Sequence, residues 1–208
     1  WPLEEIIGLK KEINNANLEM EVIESVPVHE DIKMGLTTRE KYIENYKQNI
    51  RNLAKAGVKV ICYNFMPVFD WTRSNLDYKL EDGSTALVYY KSEIEKMDPR
   101  NGDLNLPGWD ASYKKDELNA VLEKYKSVSE EDLWNNLKYF LEQIIPVAEE
   151  VKIKMAIHPD DPPWPIFGLP RIITNEENLD RFLKLYESEY NGLTLCTGSL
   201  GVSKDNNM

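Results

Sequence analysis

Lys154-Met155-Ala156-Ile157-His158-Pro159-Asp160-Asp161 is a short apolar run that breaks abruptly into a polar, proline-marked tract. A run of this length bounded by turn residues reads as a buried strand, here Lys154 to Ile157, with His158 just past its C-terminal end. A helix-period stretch from about Glu130 to Val151 precedes it. Ser129 and Asp132 stand in the positions of a capping box, with Asp where Glu or Gln is usual. Pro146 lies inside this stretch and predicts a kink. Downstream, Asn175 to Tyr186 reads as a helix and Gly192 to Cys196 as a further strand.

The same alternation runs upstream. Thr38 is placed to cap a helix from Arg39 to about Ala56, in which Tyr42, Ile43, Tyr46, Ile50 and Leu53 recur at helical spacing. Gly57 suits the position just past its end, and Val58 to Phe65 follows as a strand. Before these, Ile6 to Asn15 is helix-periodic and Glu19 to Val28 is strand-like. Alternating elements imply parallel strands with helical crossovers. The reading is a single α/β domain over residues 1–208, part of an open sheet or half of a (β/α)₈ barrel. No G-x-G-x-x-G motif follows any strand, which disfavours a dinucleotide-binding fold. An irregular excursion spans about 70–111, with turn signals at Asp82-Gly83, Asp98-Pro99, Asn101-Gly102 and Pro107-Gly108. A loop of this length is functional or carries small elements of its own.

Composition narrows the class. The net charge of −11 argues against non-specific nucleic-acid binding, which needs cations for phosphates. No run of 18 apolar residues and no signal-peptide pattern occurs, so neither a membrane partner nor export is expected. Two cysteines, Cys62 and Cys196, do not make a disulfide scaffold and point to a reducing cytoplasm.

The informative polar residues cluster by position. His29, Asn64, His158 and Cys196 each fall at or just after a predicted strand end, the end that carries the chemistry in barrels. His158 and Cys196 sit on consecutive strands and could reach one cation, imidazole and thiolate both being good transition-metal donors. A hydrogen-bonded structural histidine and a core-filling cysteine fit the same spacing. Asp160 and Asp161 read either as a base or partners orienting His158, or as a solvated turn. Arg73 could clamp a carboxylate with two hydrogen bonds, or simply pair with Asp70 or Asp77. His29 in His29-Glu30-Asp31 is a candidate acid or base, or else a polar lead into a helix. Trp71, Trp109 and Trp164 read more readily as packing than as sugar platforms.

Longer tracts carry a resemblance. Glu24-Ser25-Val26-Pro27-Val28-His29-Glu30-Asp31, Cys62-Tyr63-Asn64-Phe65-Met66-Pro67 with Asp70-Trp71-Thr72-Arg73, and Ile145-Pro146-Val147-Ala148-Glu149-Glu150 are similar to those of mannonate dehydratases. More specific still are His158-Pro159-Asp160-Asp161-Pro162-Pro163, continuing through Gly168-Leu169-Pro170-Arg171-Ile172, and Leu195-Cys196-Thr197-Gly198-Ser199. The resemblance implies a TIM (β/α)₈ barrel of the xylose-isomerase-like type, partly covered by this chain. It implies dehydration of D-mannonate to 2-dehydro-3-deoxy-D-gluconate and water in hexuronate (glucuronate) catabolism, with Mn²⁺ or Fe²⁺. His158 and Cys196 fall on two of the family's metal ligands, and a further His and an Asp are expected beyond Met208. The first barrel strand is expected before Trp1, and a homo-oligomer, a dimer, in the parent protein. Arg73, His29 and Asp161 are the catalytic candidates, and Asn64, Arg73 and Trp71 the substrate-binding ones. Rival readings are a related metal-dependent sugar isomerase or epimerase, and a non-catalytic truncated fragment.

Overall fold

The structure is a computed structural model that describes residues 1–100 and 114–208. Helix α1 (Leu3–Asn15) leads into strand β1 (Val22–Glu24), a short helix α2 (Glu30–Lys33), helix α3 (Arg39–Lys55) and strand β2 (Val60–Tyr63). The excursion then holds β3 (Asn75–Lys79), β4 (Thr85–Val88) and α4 (Lys91–Ile94). Helices α5 (Lys115–Tyr125) and α6 (Glu130–Val151), strand β5 (Lys154–Ile157), helix α7 (Glu176–Leu185), strand β6 (Asn191–Leu193) and the short α8 (Thr197–Leu200) complete the order.

Strands β1, β2, β5 and β6 form a four-stranded parallel sheet in sequence order. Its register decides everything that follows, because side chains alternate faces along a strand. Ile61, Tyr63, Met155 and Ile157 enter the main core with Ile43, Tyr46, Ile50 and Leu53 of α3 and Leu137, Phe140, Leu141 and Ile144 of α6. Glu24, Cys62, Ala156 and Gly192 lie in one row across the four strands, on the opposite face. The small Ala156 and Gly192 leave that face open.

Helix ends follow local chemistry. The capping box at α6 is formed: the Ser129 amide donates to Asp132 Oδ2 at 2.9 Å and the Asp132 amide to Ser129 Oγ at 3.1 Å. Asp therefore serves where Glu or Gln is usual, and the helix runs on through Pro146 to Val151. Gly57 ends α3 with φ +80°. The Gly57 amide donates to Ala54 O and the Val58 amide to Leu53 O, the pair of bonds that closes a Schellman motif. Asn175 caps α7 by accepting from the Asn178 amide at 3.0 Å.

Several expectations need correction. The first strand is three residues long rather than ten. Ser25 turns the chain with φ +62°, and Pro27 has no amide with which to continue the ladder. The fourth strand ends at Leu193, so Cys196 lies outside it as the residue preceding α8. Thr38 precedes α3 without capping it; its hydroxyl donates instead to Asp31 Oδ2 at 2.6 Å. Tyr42 is only half-buried. The excursion contains an antiparallel hairpin, β3 with β4, whose turn holds the Asp82-Gly83 signal. Asn101-Gly102, Pro107-Gly108 and Trp109 lie outside the described residues. Helix α5 was not anticipated. It seats Leu122 and Tyr125 in a second, smaller core with Met34, Val68, Phe69, Ile166 and Leu169, beneath the loops that follow β2 and β5.

Phe140 is the residue on which the main core turns, meeting the rings of Tyr46, Tyr63 and Phe65 at 5.0, 6.1 and 5.9 Å. Phe140→Ala is expected to lower unfolding stability by about 3–5 kcal/mol, measured as a fall in urea midpoint with an unchanged slope.

Candidate functional site

A cavity of about 340 Å³ opens at the C-terminal ends of the strands, lined among others by Glu24, Cys62, Asn64, Asp70, Arg73 and Asp161. His158, Cys196, Trp71 and Ser199 also line it. That volume is in the range of small-molecule sites. Each side chain arrives by a simple route. Glu24 ends β1 and Cys62 lies in β2, on the open face fixed by the register. Asn64 and His158 are the first residues past β2 and β5. Cys196 is carried in by the turn between β6 and α8.

His158 has a defined ring orientation. Its Nδ1 lies 2.7 Å from Pro159 O, and a carbonyl can only accept, so Nδ1 carries the proton. In the neutral ring Nε2 then holds the lone pair, the arrangement typical of metal-ligating histidines. Cys196 Sγ lies 3.2 Å from Ser199 Oγ. Cys62 Sγ lies 3.2 Å from Thr194 Oγ1, and burial pushes its thiol upward, against the opposing effect of that hydroxyl. Both cysteines are free. Two donors suited to a transition metal thus share one cavity. Among the described residues, no three His, Cys, Asp or Glu side chains gather as a metal site.

The Arg73 guanidinium makes a two-pronged ion pair, Nη1 to Asp161 Oδ1 and Nη2 to Asp161 Oδ2, each 3.2 Å. Neither Asp70 nor Asp77 takes that place. Nη1 also donates to Thr72 O at 2.7 Å, and the Trp71 ring lies 5.3 Å from the guanidinium. Asn64 donates to Asp70 Oδ2 at 3.0 Å and accepts from the Met66 amide, so its amide is held at the cavity wall. Trp164 donates to the Tyr89 hydroxyl at 3.1 Å, a packing role.

Asp160 neither faces solvent nor orients His158. It is buried, and its Oδ2 accepts the Ile172 and Ile173 amides at 2.6 and 3.0 Å. Arg171, also buried, donates to Phe69 O at 2.6 Å. Burial raises the Asp160 carboxyl, opposed by Arg171 and the two amides; burial lowers Arg171, opposed chiefly by Asp160.

His29 lies apart from the cavity. It lines a neighbouring cleft that shares Ser25, Asn64 and Asp70 with it. The ring stacks on Tyr42 at 3.4 Å, and Nδ1 accepts the Asp31 amide at 3.1 Å, capping α2. Desolvation lowers its pKa. The adjoining Glu30 is structural: it pairs with Lys33 at 2.6 Å, takes the Tyr125 hydroxyl at 2.5 Å and accepts the Val68 amide. Sequence reasoning missed Glu24 and Cys62 as site residues. Strand alternation held the signal, since both oppose the apolar face.

A sequence profile described as D-mannonate dehydratase (UxuA) matches residues 1–208. The chain belongs to the D-mannonate dehydratase family. Mannonate dehydratase 2 of Halalkalibacterium halodurans is 60% identical over 208 residues, covering 100% of this chain and 60% of that protein. A mannonate dehydratase of Streptococcus suis is 59% identical over 209 residues, covering 100% of this chain and 57% of that protein. The crystal structure of mannonate dehydratase from Streptococcus suis serotype 2 superposes with a TM-score of 0.90 at 54% identity, over 100% of this chain and 56% of that one. The chain thus spans about three-fifths of the length of these relatives. No helix among the described residues is long and apolar enough to cross a membrane.

Asp160→Ala would strand the Ile172 and Ile173 amides in the interior, at about 1–3 kcal/mol for each unsatisfied donor. Urea unfolding is expected to show a loss of that combined size, and a loss below about 1 kcal/mol would mean the loop closes without the carboxylate.

Proposed function

We propose that the complete protein is a cytoplasmic D-mannonate dehydratase, a carbon–oxygen lyase of hexuronate catabolism. It removes water from D-mannonate to give 2-dehydro-3-deoxy-D-gluconate. The observation that supports this most is the likeness to mannonate dehydratases along all 208 residues, joined to the meeting of His158, Cys196 and Arg73 at one cavity. On this reading the sheet is part of a TIM (β/α)₈ barrel. Its outer strands β1 and β6 would pair with strands from the remainder of a family-length chain, and 77%-exposed Leu195 next to β6 would then be covered. The assembled protein is a homodimer.

His158 Nε2 and Cys196 Sγ would hold Mn²⁺ or Fe²⁺, with the other donors supplied from outside the described residues. A bound divalent cation there supplies Lewis-acid stabilisation of negative charge. The charge around the cavity favours this assignment. Three carboxylates, Glu24, Asp70 and Asp161, line the cavity against one lining guanidinium, that of Arg73, and a sugar acid would meet net repulsion without a cation beside it.

Dehydration takes the proton from C2 and expels the hydroxyl on C3. Arg73 binds the substrate carboxylate through its two-pronged face. The Asn64 amide reaches a substrate hydroxyl, and Trp71 forms the wall beside Arg73. Asp161 stands at the cavity for proton transfer, and His29 would act from the adjoining cleft.

Incubating the metal-loaded protein with D-mannonate is expected to yield the 2-keto-3-deoxy acid. His158→Ala and Cys196→Ala are each expected to lower bound metal and kcat/KM by more than the about 100-fold that loss of an outer-shell partner costs. Metal content unchanged in both variants rejects them as ligands, and no product from the loaded protein rejects the dehydratase reading.

A further inference from the structure

The carboxylate site of Arg73 is already filled from within. Asp161 Oδ1 and Oδ2 sit 3.2 Å from Nη1 and Nη2, the parallel geometry in which a guanidinium takes any carboxylate. The pair is neither buried in the core nor free on the surface. Side-chain exposure is 25% for Arg73 and 15% for Asp161, and both line the cavity. The arms that carry them are unequal. Asp161 follows Asp160, whose backbone and side chain are tied to Ile172 and Ile173. Arg73 is steadied by Thr72 O and Trp71. Turning the Asp161 side chain away therefore breaks no other side-chain bond that the structure assigns to it, whereas moving Arg73 would break its bond to Thr72.

We propose that Asp161 is an internal stand-in for the substrate carboxylate, and that an incoming aldonate displaces it from Arg73. This rests on the reading of Arg73 as the carboxylate-binding residue. The exchange is non-covalent: one carboxylate leaves the guanidinium as another arrives. Two consequences follow. Self-pairing keeps Arg73 extended and aimed into the cavity before substrate arrives. It also lowers apparent affinity by the fraction of time that Arg73 is free. Only a ligand offering a carboxylate recovers that loss, so neutral sugars are selected against.

The test uses the complete, metal-loaded protein and a 3-deoxy aldonate, which keeps the carboxylate but lacks the hydroxyl that dehydration expels. Calorimetry on Asp161→Asn is expected to show binding about tenfold tighter, as for a self-pair populated about ten to one. A purely structural Asp161, needed to hold Arg73 in place, predicts weaker binding instead, and that result overturns the proposal. Removing a nearby negative charge could also tighten binding without any exchange, so the crystal structure of the wild-type complex decides. Arg73 bonded to the ligand carboxylate with Asp161 turned away supports the exchange; the Arg73–Asp161 pair persisting beside bound ligand overturns it. Arg73→Gln separates the two readings. If it leaves affinity unchanged, Arg73 is not the carboxylate site and the assignment beneath the proposal falls, with the exchange.

Discussion

The cavity depends on a buried carboxylate that never reaches it. Asp160 Oδ2 accepts the amides of Ile172 and Ile173, and the Asp160 amide donates back to Ile173 O at 2.8 Å. These bonds fold the tract after β5 onto the segment before α7. His158 and Asp161, on either side of this anchor, are thereby fixed in relation to the sheet. Arg171, the neighbour of Ile172, reaches the other way to Phe69 O and holds the segment that leads into Asp70–Arg73. Two buried charged residues so join the loops from which His158, Arg73 and Asp161 all project. Such groups are costly to desolvate, and their opposite signs offset part of that cost.

Beneath this anchor lies a division of labour set by strand alternation. The β2 and β5 side chains facing the helices are Ile61, Tyr63, Met155 and Ile157. The other face keeps Glu24 and Cys62 for the cavity, and Ala156 and Gly192 for space. The smaller core under the loops, built on Phe69, Leu122, Tyr125 and Leu169, supports the segments after β2 and β5 as the main core supports the strands.

How much of this the sequence disclosed follows from the range of the interactions involved. Strand β5, helix α7 and the start of α6 were legible because their determinants are local: an apolar run, a helix-periodic stretch from Asn175, Ser129 with Asp132 as capping box. Gly57 was legible for the same reason, since only its own φ and two neighbouring bonds are at stake. The length of β1 was not, because Val26 and Val28 are apolar for the sake of the core rather than the ladder. Cys196 looked like a strand residue for want of any signal that β6 stops at Leu193. The partner of Arg73 was out of reach. Asp70 and Asp77 are neighbours in sequence, while Asp161 is 88 residues away and is brought in only by the pairing of β2 with β5 and the Asp160 fold-back. Asp160 and Asp161 show the limit most clearly. Adjacent and chemically identical, they have separate duties, one holding the backbone and one facing the cavity.

The electrostatics of the cavity tie these parts together. Glu24, Asp70 and Asp161 line the cavity together with Arg73, and the Arg73–Asp161 ion pair offsets one of these carboxylates. The remaining field is negative, hospitable to a cation and hostile to a sugar acid. On the proposed exchange a carboxylate that takes over Arg73 gains two charge-assisted bonds, but leaves Asp161 with only the buried Arg171 as a counter-charge. The exchange therefore adds one negative charge to the cavity, and it can be favourable only where positive charge lies close by. On the proposed assignment His158 and Cys196 would hold such a charge there, and Asp161, three residues from His158 and facing Arg73, would couple the two sites. Were both sites as proposed, loading of one would strengthen the other, because each would supply the counter-charge that the other lacks.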